Sequence, residues 1–365
     1  MYAQNLVERL PGAAPDLNFR LFLCDAQAPG SMPSQCLISP LHRVAGRGAT
    51  WARADKLWWE IVALPAAAAR RRVALVHYLY WAAPLVATAR VVVTVHDVIP
   101  LALGDYHRGP ASAAYARLMA ATVRRADAVI TVSEHARRDV RRLLRIPDHR
   151  IHVTYEAADA RFNPRAEPGE SERLRARYGL PERFVLYLGG AERRKNLETL
   201  VRAWRDVPMD PGEKPAELVI VADFPPPDAL YPDIPGLTRR LGLEGRVRVV
   251  PRVDEADKPA LYRSALLFCF PSAYEGFGLP PLEAMACGAP VLASSATSLP
   301  EVTGDAACLL PAGDVGAWAR AIRALLESVE ARARLRESGL VRAARFSWDR
   351  TAEQTAAVYR EVLGR

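Results

Sequence analysis

Long apolar runs are missing from this 365-residue chain. The stretches 62–69 and 91–95 fall far short of the ~20 residues needed to span a bilayer. Cysteine is scarce as well. Cys24, Cys36, Cys269, Cys287 and Cys308 are scattered, odd in number and without a Cys-x-x-Cys pair, so they read as reduced thiols and not as a disulfide framework or a zinc site. Neither His-Glu-x-x-His nor Asp-x-Asp occurs, which leaves a dedicated metal ion without its usual ligands. Residues 1–11 include Glu8 and Arg9 and no continuous apolar run, unlike a secretory leader. A cytoplasmic chain, or one held at a membrane surface, is expected.

What is present is the composition of a globular protein, 50% hydrophobic and 25% charged. At this length two cores are expected, since single cores stop growing near roughly 250–300 residues. The net charge of +8 sits in the first half. Residues 1–165 hold 22 Lys/Arg against 13 Asp/Glu, and the remainder holds 27 against 28. Such asymmetry points to an anionic partner for the first half: membrane headgroups, phosphorylated lipid or nucleic acid. The segment 134–145 contributes a row of Arg137, Arg141 and Arg145 at helical spacing, with Arg138 and Arg142 beside it.

Hydrophobic patterning alternates strand with helix. A helix is expected over 2–10, closed by Pro11-Gly12, then strands at 73–77, 90–96, 128–132 and 151–154. Helices at 112–126 and 134–144 lie between them, the second capped by Ser133. After a charged, Pro/Gly-rich stretch at 163–170 the alternation restarts. Strands are expected at 184–188, 217–222, 247–250, 266–270 and 290–294, and helices at 197–205, 281–287, 316–327 and 348–363. Short apolar strands separated by helices belong to parallel sheets covered on both faces. The expected class is therefore α/β, as two doubly wound domains in tandem with a cleft implied between them.

Two stretches carry chemistry. From Phe270 to Gly288 an apolar strand ends at Pro271, and a loop with Gly276 and Gly278 leads into a helix containing Glu283. Loops at the carboxyl ends of parallel strands are where such sheets bind ligands, and free N–H groups at a helix start favour phosphate. Glu275 and Glu283 would repel phosphate, so they suit sugar or ribose hydroxyls. Taken alone, Gly-x-Gly reads equally as a plain turn, and Glu283 as a complement to the helix dipole. The second stretch runs from Leu186 through Gly189-Gly190 to Arg193-Arg194-Lys195-Asn196, a strand passing through glycines into a basic cluster. Its cations could neutralise a diphosphate by charge-assisted hydrogen bonds; alone it reads equally as a solvated loop.

Together with the segments 93–101, 130–134, 290–294, 298–302 and 346–348, these stretches resemble the retaining GT-B glycosyltransferases of family 4, over nearly the whole chain. Glu275 and Glu283 match that family's Glu-x7-Glu motif, and Gly189–Asn196 its diphosphate loop. The resemblance implies a GT-B fold: an acceptor-side domain over 1–168, a nucleotide-sugar domain over 169–345, and a C-terminal helix at 346–365 packing back on the first. It implies that Arg194 and Lys195 hold the diphosphate and stabilise it as it leaves. Gly189, Gly190, Gly276, Phe277, Gly278 and Leu279 would line the phosphate and sugar. Glu275 would contact the donor sugar, Glu283 the ribose, Arg252 and Val253 the nucleobase, and His96 the transferred sugar or acceptor. Catalysis is then front-side electrostatic stabilisation of the departing diphosphate, with side-chain cations in place of a metal.

Two departures from the family pattern stand out. Gly190 occupies a position where many relatives carry an additional arginine. Ahead of Tyr2, where a first strand and a glycine-rich turn would be expected, there is only Met1, so a start further upstream is expected. The function implied is transfer of a sugar, first of all mannose from GDP-mannose, to a glycan or lipid-linked acceptor in cell-envelope polysaccharide synthesis. The donor is a substrate, with no separate cofactor. Peripheral contact with the inner face of the membrane fits the basic first half. The alternatives are a UDP-sugar donor or a non-catalytic binding or scaffolding module on the same fold. Nucleic acid is not an expected partner, because the basic residues form no recognisable recognition module.

Overall fold

The computed structural model describes residues 2–23, 36–38, 58–106, 109–208 and 215–364. The expectations about Met1 and Cys24 lie outside them. The described chain divides into two compact units, residues 1–156 with 348–365, and residues 157–347. Both are built on parallel sheets.

In the first unit, β3 (Leu75–Tyr78), β4 (Arg90–Val95), β5 (Ala128–Thr131) and β6 (Ile151–Val153) pair side by side in sequence order. A short parallel pair, β1 (Leu21–Leu23) with β2 (Cys36–Ile38), forms a separate sheet. Alternation along β4 sends Val91, Val93 and Val95 to one face, where they pack with Met119, Ala120 and Val123 of the helix Pro110–Val123. Thr94 points to the other face and meets Tyr2 of the first helix at 3.2 Å. That first helix extends through Pro11 to Ala13 instead of ending at residue 10. Pro65 stands in the first turn of the helix Leu64–Arg70, a position that tolerates proline. Ser133 does cap the helix Glu134–Asp139, accepting from Ala136 N at 2.9 Å. The following turn, Val140–Leu144, is π-helical, so Arg141 and Arg145 do not continue Arg137 at α spacing.

The second unit holds β7 (Phe184–Leu188), β8 (Glu217–Val221), β9 (Val247–Val250), β10 (Leu267–Phe270), β11 (Val291–Ser294) and β12 (Cys308–Leu310) in the order β12-β11-β10-β7-β8-β9. The chain starts in the middle at β7, winds outward through β8 and β9, then returns to β10 on the other side. The order reverses between β7 and β10, the place where an open α/β sheet gathers its ligands. Every residue of β7, β10 and β11 is buried, as the continuous apolar runs require.

The unit boundary falls earlier than the expected 168/169. The stretch 163–170 is not a free linker, because Arg263 grips it, bonding Asn163 O at 2.8 Å and both oxygens of Glu170 at 2.7 and 2.8 Å. Trp348–Leu363 is the helix that belongs with the first unit. Between residues 327 and 348 lies a further helix, Val329–Ala343, that hydrophobic patterning does not announce. Cys269 and Cys287 are buried free thiols, and Cys308 is half-buried.

Candidate active site

The loops after β7 and β10 are stitched to each other across the switch point. Ala273 N donates to Arg194 O at 2.7 Å, and Arg194 NH1 donates to Tyr274 O at 3.0 Å. Asn196 adopts a left-handed conformation at φ 56°, which lets Nδ2 reach Pro271 O at 3.3 Å and Ala312 O at 2.5 Å. Asparagine tolerates that backbone region better than most side chains. The result is a short basic turn, Arg193–Lys195, clamped against the loop that carries Glu275.

The clamp brings side chains 80 residues apart together. Lys195 Nζ lies 2.6 Å from Glu275 Oε1, and Arg194 NH1 lies 3.1 Å from the same oxygen. Ser272 Oγ donates to it at 2.6 Å. Lys195 also sits 5.0 Å above the Phe270 ring. Both Lys195 and Glu275 are buried. Burial alone would raise the Glu275 pKa, but Lys195 and Arg194 outweigh it and hold the carboxylate below its usual range. Two cations on one carboxylate leave the cluster with one positive charge in excess.

The main chain around Glu275 is fixed from β11. Ser294 Oγ donates to Ser272 O, and Thr297 Oγ1 accepts from Glu275 N at 3.0 Å. Ser298 Oγ donates to Glu275 O at 3.0 Å and to Phe277 O at 2.6 Å. Gly278, at φ 115°, then turns the chain into the helix Leu279–Ala286. A Cβ there would stand 2.7 Å from Leu299 Cδ2, so the position excludes a side chain on both backbone and packing grounds. Gly189 ends β7 under the Tyr187 hydroxyl, and Tyr187 donates to Gly190 O at 2.5 Å.

The helix begins at Leu279 and not at residue 281, because prolines 280 and 281 fit its first turn. Glu283 therefore lies beyond the first turn and does not complement the dipole there. It is buried, accepts from Tyr262 OH at 3.1 Å, and is pushed up to about 7 by burial against the opposing pull of Lys258. Arg252 and Val253 lie in the loop after β9, the first exposed and the second buried.

His96 belongs to the first unit, just after β4. Its Nδ1 lies 2.9 Å from Glu156 Oε1 and its Nε2 lies 3.2 Å from Leu79 O, with the Tyr2 ring edge-on at 4.5 Å. Glu156, Ser272, Thr297 and Tyr262 are neighbours of these residues that motif spacing does not reveal, whereas Asn196 and Ser298 lie in the matched segments. The available signal was small polar residues at strand ends, Ser272 two residues past β10 and Ser294 closing β11.

The arrangement can hold an anion at a switch point, beside a carboxylate suited to hydroxyl groups. Residues 170–341 match the profile of the glycosyl transferases group 1, and residues 3–162 that of Glycosyltransferase Family 4. The O-antigen chain mannosyltransferase B of Escherichia coli is 34% identical over 74% of this chain and 70% of its own length. The serotype-specific mannosyltransferase WbdA of the same organism is 33% identical over 73% of this chain, which spans only 33% of that longer protein. Among solved structures, sucrose-phosphate synthase from Thermosynechococcus elongatus superposes with a TM-score of 0.76 at 24% identity, over 100% of this chain and 93% of its own. WaaG, a glycosyltransferase involved in lipopolysaccharide biosynthesis, does so at 0.72 and 16%, over 100% and 95%. These structures share the fold, two Rossmann-like parallel-sheet domains of the GT-B type. With both halves matched and a relative of this identity covered over most of its length, the chain belongs to glycosyltransferase family 4 and is a hexosyltransferase.

Proposed function

We propose that the chain transfers mannose from GDP-mannose, with retention, to a glycan or lipid-linked acceptor in cell-envelope polysaccharide synthesis. The observation that carries this reading is the buried Lys195–Arg194–Glu275 cluster at the switch point of the second sheet. Its surplus positive charge suits a diphosphate. Arg194 and Lys195 hold that group and stabilise it as the glycosidic bond to it breaks, helped by the main-chain amides of residues 276–279. Glu275 accepts from the donor sugar, Glu283 from the ribose, and Arg252 with Val253 borders the base. Gly189 and Gly190 let the backbone approach the phosphates. With two side-chain cations in place, the reaction needs no metal. His96 meets the transferred sugar or the acceptor. The similarity to two mannosyltransferases supports mannose.

A cytoplasmic protein touching the inner membrane face fits the basic first half. Arg138, Arg141, Arg142 and Arg145 are exposed there, although Arg142 is paired with Asp139 at 2.8 Å and Arg137 with Asp148 at 2.6 Å. Among the described residues no helix is long and apolar enough to cross a membrane. HepE from Anabaena, solved with UDP-glucose and sharing the fold at a TM-score of 0.62, keeps a UDP-sugar as the second reading of the donor.

A thermal-shift series with GDP-mannose and UDP-glucose tests the reading, since a ligand that binds only the folded chain raises its melting temperature. GDP-mannose is expected to stabilise the wild type and not Lys195→Ala. Stabilisation by UDP-glucose alone would reassign the donor, and no response to either would remove this assignment of the site.

A further inference from the structure

The imidazole of His96 meets an oxygen acceptor on each side, Glu156 Oε1 at 2.9 Å and the Leu79 carbonyl at 3.2 Å. A carbonyl only accepts, and so does a carboxylate. A neutral imidazole has one bare nitrogen, which would here face a lone pair with no hydrogen between. Water relieves only part of the cost, because Glu156 is 6% exposed and the His96 side chain 22%. Transferring the proton to Glu156 would also put a hydrogen on both contacts, the acid donating to Nδ1 and Nε2 to Leu79 O, but it replaces a charge-assisted bond with a weaker neutral one.

We infer that Glu156 is a positioning residue that, with the Leu79 carbonyl, holds His96 as an imidazolium with both N–H groups engaged, so that His96 serves as a fixed positive charge and donor and never as the proton acceptor. The charge assignment stands on geometry within the first unit; its bearing on the reaction rests on the proposed transfer. In that reaction the acceptor oxygen forms its bond to the sugar carbon as the bond to the diphosphate breaks, and the hydroxyl proton goes to the departing diphosphate. The longer of the two contacts, to Leu79, is the one a substrate hydroxyl oxygen can share.

The surroundings agree. Burial works against charge on His96, but the Glu156 hydrogen bond and charge, the Leu79 bond and Asp97 outweigh it and leave its pKa above the ordinary value. His77, the neighbouring histidine, is held down to about 3 by burial and by His96, so it stays neutral and adds no second cation. Tyr2 presents its ring edge-on at 4.5 Å, and the Tyr80 ring lies 6.1 Å away.

Imidazole nitrogen shifts in the full-length chain, with selectively labelled histidine, read the state directly. The chain has seven histidines, so His96→Asn assigns the resonance. At about pH 6.5, the ordinary histidine value, both His96 nitrogens are expected to be predominantly protonated in the wild type. Glu156→Gln is expected to leave one bare nitrogen, and Glu156→Asp to restore the imidazolium. A bare nitrogen in the wild type overturns the charge state; an imidazolium in Glu156→Gln overturns the role of Glu156. Where the Gln variant does not fold, the wild-type titration and the Asp variant still decide. Nucleoside diphosphate release supplies the second readout. Because the pKa is raised, the charged form is lost as pH rises through it, so the alkaline limb of the rate profile moves to lower pH in Glu156→Gln. If His96→Asn releases product at the wild-type rate, the part of His96 in the reaction falls while its charge state stands.

Discussion

Glu283 keeps its carboxyl where burial favours the proton. Its pKa is pushed from 4.5 to about 7, which makes it a source of pH-dependent instability. The unfolded chain releases this proton near the ordinary value, while the folded chain holds it until about pH 7. Between those values the native state binds more protons, so stability falls as pH rises. The full effect is on the order of 3 kcal/mol above pH 7, at about 1.4 kcal/mol per unit. Glu283→Gln removes it. Thermal unfolding at pH 5 and pH 8 is expected to show the variant gaining on the wild type at the higher pH, and parallel behaviour at both would refute the assignment. Spacing alone marked Glu275 and Glu283 as a pair, yet folding gives them opposite environments. Glu275 gains two cations from a loop 80 residues away, and Glu283 gains a tyrosine and a partly opposing Lys258. The identity of the acidic residues was legible; their charge states were not, because those depend on partners brought in by the crossover between β7 and β10.

The elements that carry the site were mostly readable, because buried parallel strands leave continuous apolar runs. β7, β9 and the helix Leu197–Arg205 have the expected limits. The helix Val329–Ala343 was not readable, since its contacts are not an apolar stripe. Arg336 bonds Gly288 O at 3.2 Å and Arg342 bonds Val302 O at 2.8 Å, while Gly339 lets the helix approach Met285 to within the reach of a single Cβ, at 3.3 Å. Arginines that serve carbonyls at the ends of other elements look like an exposed charged face in a sequence. The sharpest element-level test concerns the turn into Leu279–Ala286. Gly278→Ala would place a side chain at φ 115° and against Leu299, a strain of about 1–3 kcal/mol before any displacement of the helix. Gly313→Ala meets nothing within 4 Å and serves as the control. Denaturant unfolding is expected to separate the two by at least ~1 kcal/mol. Equal stabilities would mean that the turn does not depend on glycine.

At the scale of the molecule, the chain leaves its first unit after Glu156 and returns to it at Trp348. The returning helix, Trp348–Leu363, covers the face of the first sheet opposite the valine core. Thr351 Oγ1 donates to Tyr155 O at 2.5 Å, Tyr359 OH meets His77 Nδ1 at 2.5 Å, and Trp348 packs edge-on to Tyr2 at 5.7 Å. Ion pairs at the rim, Arg360 with Asp16 at 2.6 Å and Arg9 with Asp349 at 3.1 Å, reach solvent and contribute little. Most of the stabilisation comes instead from burying Trp348, Val358 and Tyr359, at about 1.5–3 kcal/mol for each large apolar side chain. Ending the chain at Ser347 would expose that face and strip buried His77 of one hydrogen-bond partner. Hydrogen exchange is expected to accelerate strongly in β4 and β5 of the truncated chain, whereas β7 and β10, buried in the other unit, keep their protection. Arg360→Ala should leave both patterns unchanged. Loss of protection in both units on truncation would show that the last helix supports more than the first sheet, and unchanged exchange in β4 would show that the sheet does not need its second layer.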